Sequence, residues 1–189
     1  EILLPAPSWV SYKPQAIIAK NKVHWIQTSD STNWFPTAEQ LENKIKSIKS
    51  QNLILFLNSP NNPSGMLCKN LQEISEIAKK YKLIILSDEI YSRLTFDNQY
   101  KSISNFYPER TIVSSGLSKW CGAGGWRLGF FAIPKQLKEL KNSLKILCSE
   151  SFTSVSAPIQ YAAIEAYKGD HSEYLNNVRK ILSFTSNYV

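Results

Sequence analysis

The chain has 189 residues, 43% hydrophobic and 20% charged, which is enough for one domain with a substantial core and marginal for two. Its 22 Lys and Arg against 15 Asp and Glu give a net charge of +7, but no five basic residues run together and none interleave with aromatics, which argues against a nucleic-acid surface. No apolar run reaches membrane-spanning length, and Cys68, Cys121 and Cys148 form no CxxC pair; a membrane span, a metal site and a disulfide framework are set aside, and a reducing, cytoplasmic compartment fits.

Residues 2–5 and 23–28 read as short strands, the second rich in β-favouring side chains. Ala38, Leu41, Ile45 and Ile48 then recur at helical spacing, with Thr37 and Gln40 as a capping box. The apolar run 53–57 is expected to be a strand buried on both faces, as is 83–86. Between them Leu71, Ile74, Ile77, Ala78 and Tyr81 mark an amphipathic helix. Residues 111–115 and 128–133 are further strand candidates; Leu137, Leu140, Leu144 and Leu147 give a helix, and two more helical patterns fill 158–189. Such alternation predicts an α/β fold, a three-layer sandwich around a mostly parallel sheet. The lysines, such as Lys44, Lys46, Lys79 and Lys80, fall on the polar sides of these helices and read as solvated faces, leaving a mild preference for anionic substrates. The first strand is entered without a cap and the last helix runs to Val189 without one, so a fragment truncated at both ends is expected.

In open α/β sheets ligands gather at the carboxyl ends of strands, so the polar residues following each apolar run carry the interest. After 53–57 comes Asn58-Ser59-Pro60-Asn61-Asn62-Pro63-Ser64-Gly65, a rigid proline-bearing turn that presents an asparagine amide. After 83–86 comes Ser87-Asp88-Glu89-Ile90-Tyr91. A carboxylate directly behind four apolar residues is costly to bury without a cation or strong donor; Asp88 is either a helix N-cap or the partner of a cationic ring nitrogen. After 111–115 comes Gly116-Leu117-Ser118-Lys119, then a glycine-rich stretch to Arg127 and Gly129. Partial desolvation would make the Lys119 amine available to attack a carbonyl, and Arg127 can clamp a phosphate or carboxylate with two hydrogen bonds.

These segments, in this order, resemble the class I/II aminotransferases, fold-type-I pyridoxal-phosphate enzymes. Asn58–Gly65 is similar to the family's Asn-Pro-x-Asn-Pro-Thr-Gly turn with Ser64 in place of Thr, and Asp88-Glu89-Ile90-Tyr91 to its Asp-Glu-x-Tyr segment. Ser118-Lys119 with Gly125-Trp126-Arg127-Leu128-Gly129 resembles its Ser-Lys…Gly-Trp-Arg-x-Gly signature, and Pro5 to Tyr12 its Pro-x-Pro-x-aromatic-x-x-Tyr stretch.

The resemblance implies pyridoxal 5'-phosphate as cofactor, with Lys119 as the Schiff-base lysine and proton shuttle. It implies Asp88 on the ring nitrogen, Asn62 and Tyr91 on the phenolate oxygen, Arg127 and Ser118 on the phosphate, and Trp9 stacked on the ring. Amino acid and 2-oxo acid are the implied substrates and a homodimer the implied full-length assembly. Residues 1–160 correspond to the major part of the cofactor-binding large domain and 161–189 to the start of the connection to a small C-terminal domain. The family's upstream phosphate-binding turn and its substrate-carboxylate arginine have no counterpart here, so weak cofactor binding and little turnover are expected of this piece alone. Many relatives carry serine where this chain has Gly116, a sub-family variation. A carbon–sulfur lyase of the same fold and an aminotransferase-like sensing module of a transcriptional regulator are the alternatives. His24, His171 and Cys121 read as surface or packing residues.

Overall fold

The structure is a computed structural model that describes residues 1–97 and 99–188. Strands β1 (Ile2–Ala6), β2 (Val23–Gln27), β3 (Ile54–Asn58), β4 (Ile84–Asp88), β5 (Thr111–Gly116) and β6 (Gly129–Ala132) form one sheet in the order β2-β1-β3-β4-β5-β6. Neighbouring strands are parallel except β5 and β6. The helices are α1 (Tyr12–Ile18), α2 (Ala38–Lys46), α3 (Leu71–Lys80), α4 (Lys138–Ser151), α5 (Ala157–Lys168) and α6 (Ser172–Ser186). The α/β class with a mostly parallel sheet is thus as the sequence indicates.

The main core lies on one face of the sheet. Leu3, Ile26, Leu55, Leu57 and Ile85 pack there against Leu41 and Ile45 of α2 and Leu71, Ile74 and Ala78 of α3. Each fully buried Leu or Ile contributes roughly 1.5–3 kcal/mol relative to exposure. Thr37 and Gln40 close the expected capping box: Gln40 N–H donates to Thr37 Oγ1 at 3.1 Å and Thr37 N–H to Gln40 Oε1 at 2.9 Å. On the opposite face α1 places Tyr12 and Ala16 over Ile2, Leu4 and Phe56.

One expectation needs correction, and one helix lies outside the expected elements. β3 and β4 are not buried on both faces: Leu55, Leu57 and Ile85 are buried, whereas Ile54, Phe56, Ile84 and Leu86 on the other face are only half-buried, because the cluster there gathers around α1 over β1, β2 and Phe56. Helix α1 is not legible in the sequence, since Ile17 and Ile18 are exposed and blur the apolar face of a seven-residue helix. The lysines behave as anticipated: Lys80 and Lys46 pair with Glu42 at 2.6 and 3.4 Å on an exposed surface joining α2 and α3. Helix α6 ends at Ser186, and Val189, taken as the uncapped helix end, lies outside the described residues.

The topology decides where a ligand can sit. From β1 the chain moves outward to β2, then crosses to β3 on the other side of β1. The crevice at the carboxyl ends of β1 and β3 is therefore a switch point, where the following loops diverge and leave an opening.

Candidate active site

A cleft of about 360 Å³ opens at these strand ends, within the size range of small-molecule sites, about 300–1,000 Å³. Trp9, Asn62, Asp88, Tyr91, Ser118, Lys119 and Arg127, all selected from the sequence, line it together. Tyr12, Asn58, Ile90, Ser114 and Gly124 line it too and were not selected. Tyr12 stood in the quoted Pro-x-Pro stretch and Asn58 opened the proline-bearing turn, so both were visible as motif members without an assigned task. A larger hollow of about 570 Å³ between β6 and α5, lined by Leu128, Phe130, Ile164 and Tyr167, is mainly apolar and brings no comparable set of polar groups together.

Asp88 ends β4, and strand alternation separates it from its neighbour Glu89. Asp88 faces the cleft; Glu89 is buried and accepts hydrogen bonds from Ser87 Oγ at 2.9 Å and Ser102 Oγ at 2.5 Å. The Tyr12 hydroxyl donates to Asp88 Oδ2 at 2.6 Å and the Ile90 N–H to Oδ1 at 3.2 Å. Burial first, then the Asp88 charge and hydrogen bond, holds the Tyr12 phenol far above the usual tyrosine range, so it stays a donor. The helix-cap reading of Asp88 falls away, because a short 3-10 turn at Ser92–Leu94 follows and no α-helix starts there.

Asn58, itself buried, joins the two neighbouring turns. Its Nδ2 donates to the Asp88 carbonyl at 3.0 Å, and its Oδ1 accepts from the Asn62 N–H at 2.8 Å. Asn62 Nδ2 in turn reaches the Tyr91 hydroxyl at 3.4 Å. Gly65 closes this turn at φ +71°, with Gly65 N–H donating to the Asn61 carbonyl at 2.8 Å, a backbone shape suited to glycine. Trp9 is 40% exposed at the rim, so it is not a core tryptophan; its ring meets Tyr12 edge-on, centroids 5.3 Å apart.

The turn after β5 carries the cations. Leu117 and Trp120 are buried against Ala163 of α5 and Leu175 of α6, which anchors the turn on both sides of Lys119. Lys119 Nζ lies 5.6 Å from the Tyr91 ring centroid. The expected desolvation is not met: Lys119 is exposed, because its buried neighbours pack away from the cleft. Arg127 adopts φ +56° and donates from Nη1 to the Gly124 carbonyl at 2.6 Å, folding its guanidinium back over the glycine turn.

Gly116 leaves no room for a side chain. It pairs with Gly129 across β5 and β6, and a Cβ there would lie 2.6 Å from the Leu128 oxygen. Ser114, one strand repeat back, lines the cleft, whereas Ser115 does not. His24 bonds Glu1 at 2.6 Å, His171 lies tilted against Trp120 and Cys121 packs on the same cluster, all outside the cleft. Among the described residues no group of three or more His, Cys, Asp or Glu could hold a metal ion, and no helix is long and apolar enough to cross a membrane.

Comparisons with known proteins identify the family. The chain is 36% identical over 175 residues to an aspartate aminotransferase of Bacillus sp. strain YM-2, a match covering 89% of the chain and 43% of that protein. It is 34% identical over 181 residues to aromatic-amino-acid aminotransferase 2 of Thermococcus litoralis, covering 91% and 44%. The crystal structure of an aspartate aminotransferase from Rhizobium meliloti superposes with a TM-score of 0.88 at 25% identity, over 96% of the chain and 46% of that structure. The chain thus spans less than half the length of these relatives. The family model for aminotransferase class I and II matches residues 1–189, and the chain belongs to that family.

Proposed function

We propose that the full-length protein transfers an amino group from an amino acid to a 2-oxo acid with pyridoxal 5'-phosphate held in this cleft. One observation carries the reading: a lysine and an arginine from the turn after β5, a doubly hydrogen-bonded aspartate at the end of β4, and an Asn–Tyr pair from the ends of β3 and β4 all line a single cleft. That donor set suits a flat ring with a basic nitrogen, a phenolate oxygen and a phosphate.

When bound, the cofactor supplies an electron sink for the carbanion formed at the amino acid's α-carbon. Asp88 offers its carboxylate to a protonated ring nitrogen and keeps that ring electron-withdrawing. Asn62 and Tyr91 supply donors for the phenolate oxygen. Arg127, with Ser118 beside it, offers charge-assisted hydrogen bonds to the phosphate, which requires the guanidinium to leave the Gly124 carbonyl or share it. Trp9, at the rim of the cleft, would cover one face of the ring and keep water from it. Lys119, exposed on the cleft wall, would be the amine that holds the cofactor at its aldehyde, and the same amine would be placed to hold a proton at the substrate α-carbon.

In this reading residues 1–160 form the major part of a cofactor-binding large domain and 161–189 begin the connection to a small domain. The full protein is a cytoplasmic homodimer. The test is borohydride reduction of the full-length protein after incubation with pyridoxal phosphate, followed by peptide mass mapping. A stable adduct on Lys119, absent in Lys119→Ala together with the bound cofactor's absorbance band, supports the reading. An adduct elsewhere, or none, overturns it.

A further inference from the structure

Asp88 is held by groups of different origin. The Asn58 amide fixes its main-chain carbonyl, and the Ile90 N–H reaches Oδ1 from two residues on. The contact to Oδ2 comes from Tyr12, 76 residues earlier in the chain, and at 2.6 Å it is the shortest of them. Tyr12 is itself well seated: it is the first residue of α1, 6% exposed, with its ring edge-on to Phe56 at 5.3 Å and to Trp9 at 5.3 Å. A neutral phenol donating to a carboxylate is a charge-assisted bond, among the stronger kinds a side chain makes.

We infer that Tyr12 is a positioning residue for the cofactor cleft: its hydroxyl sets the plane of the Asp88 carboxylate while its ring seats Trp9. One side chain thereby registers the charge partner and the aromatic rim on the same bound ring. The inference rests on the proposed function. It adds that Asp88 is directed by a segment remote in sequence, so the cleft depends on how β1 and α1 dock beside β4. Since Asn58 and Ile90 continue to hold the Asp88 backbone and Oδ1, loss of the Tyr12 hydroxyl alone frees the carboxylate's second oxygen and little else.

The test uses the full-length protein and its Tyr12→Phe variant, which keeps both edge-on ring contacts and lacks the hydroxyl. Four quantities are read: the dissociation constant for pyridoxal phosphate by equilibrium dialysis, kcat and KM for the amino donor, the circular dichroism of the cofactor band at saturation, and the thermal midpoint of the cofactor-free protein. The expected result is a roughly tenfold weaker cofactor affinity and a lower kcat at little-changed KM. The dichroic band per bound cofactor is also expected to shrink, with a nearly unchanged midpoint of the free protein. Tyr12→Leu, which also releases Trp9, should reduce the dichroic band further.

A parent protein that takes up no cofactor defeats the proposed function and this inference with it. A parent that binds normally while Tyr12→Phe equals it in affinity, kcat and dichroism overturns the inference alone. So does a variant whose losses follow only a fallen thermal midpoint with dichroism per bound cofactor intact, because Tyr12 would then serve folding and not orientation.

Discussion

Gly116 lies against the main chain of Leu128: a Cβ at residue 116 would sit 2.6 Å from the Leu128 oxygen and 3.0 Å from the Gly129 Cα. The closeness follows from the antiparallel pairing that sets Gly116 opposite Gly129, and Leu117 N–H donates to the same Leu128 oxygen at 3.3 Å. Gly116→Ser should destabilise this protein by about 1–3 kcal/mol, as overpacking does. The measurement is the urea midpoint; a midpoint equal to or above that of the parent would show that β5 and β6 separate freely.

Asp88→Asn preserves shape but not charge, and its amide nitrogen would face one of the two donors, Tyr12 or Ile90, that the carboxylate now accepts. Losing an ionic partner at an enclosed site typically costs about 3–5 kcal/mol, so cofactor affinity should fall by roughly 100-fold or more. Dialysis against pyridoxal phosphate measures it. A change of less than about twofold would remove Asp88 from its proposed role.

The cysteines should differ in reactivity. Burial pushes the Cys68 thiol up to about 12, leaving about one ten-thousandth as thiolate at pH 8. Cys121 and Cys148 are only half-buried. Alkylation with iodoacetamide at pH 8, mapped by mass spectrometry, should modify those two well before Cys68. Equal rates would indicate that the turn closed by Cys68 N–H on Ser59 Oγ, at 3.1 Å, opens readily.

Glu42 links α2 and α3. Hydrogen bonds from Lys80 and Tyr81, then the charge of Lys46, pull its carboxyl from the ordinary 4.5 to about 2. A carboxyl lowered in the folded state stabilises above the unfolded value, and this stabilisation is lost as pH falls from about 4.5 through about 2. Glu42→Gln should therefore lower the thermal midpoint at pH 7, with the gap to the parent closing as pH drops toward 2. A gap constant with pH would count against the linkage.

Much of the frame was legible along the chain. The apolar runs became β3 and β4, and Thr37 and Gln40 capped α2 as spaced. The seven selected site residues all reached one cleft because they lie at or just beyond the ends of β1, β3, β4 and β5, and parallel strands deliver their carboxyl ends to one edge. Helix α1 escaped because exposed Ile17 and Ile18 hide its periodicity. With it went the task of Tyr12, whose partner is 76 residues away.

By itself the sequence determined which chemical groups stand at which strand ends, and in what order, since periodicity and turn chemistry are local properties of a few consecutive residues. Only the tertiary structure decided how those groups are directed. It turned Asp88 into the cleft and Glu89 into a hydroxyl cluster, left Lys119 exposed between the buried Leu117 and Trp120, and set Asn58 as a bridge between turns. The reason is physical. A side chain's direction depends on register, crossover and packing partners tens of residues distant, and the occupant of Gly116 was settled by the Leu128 carbonyl of the strand beside it.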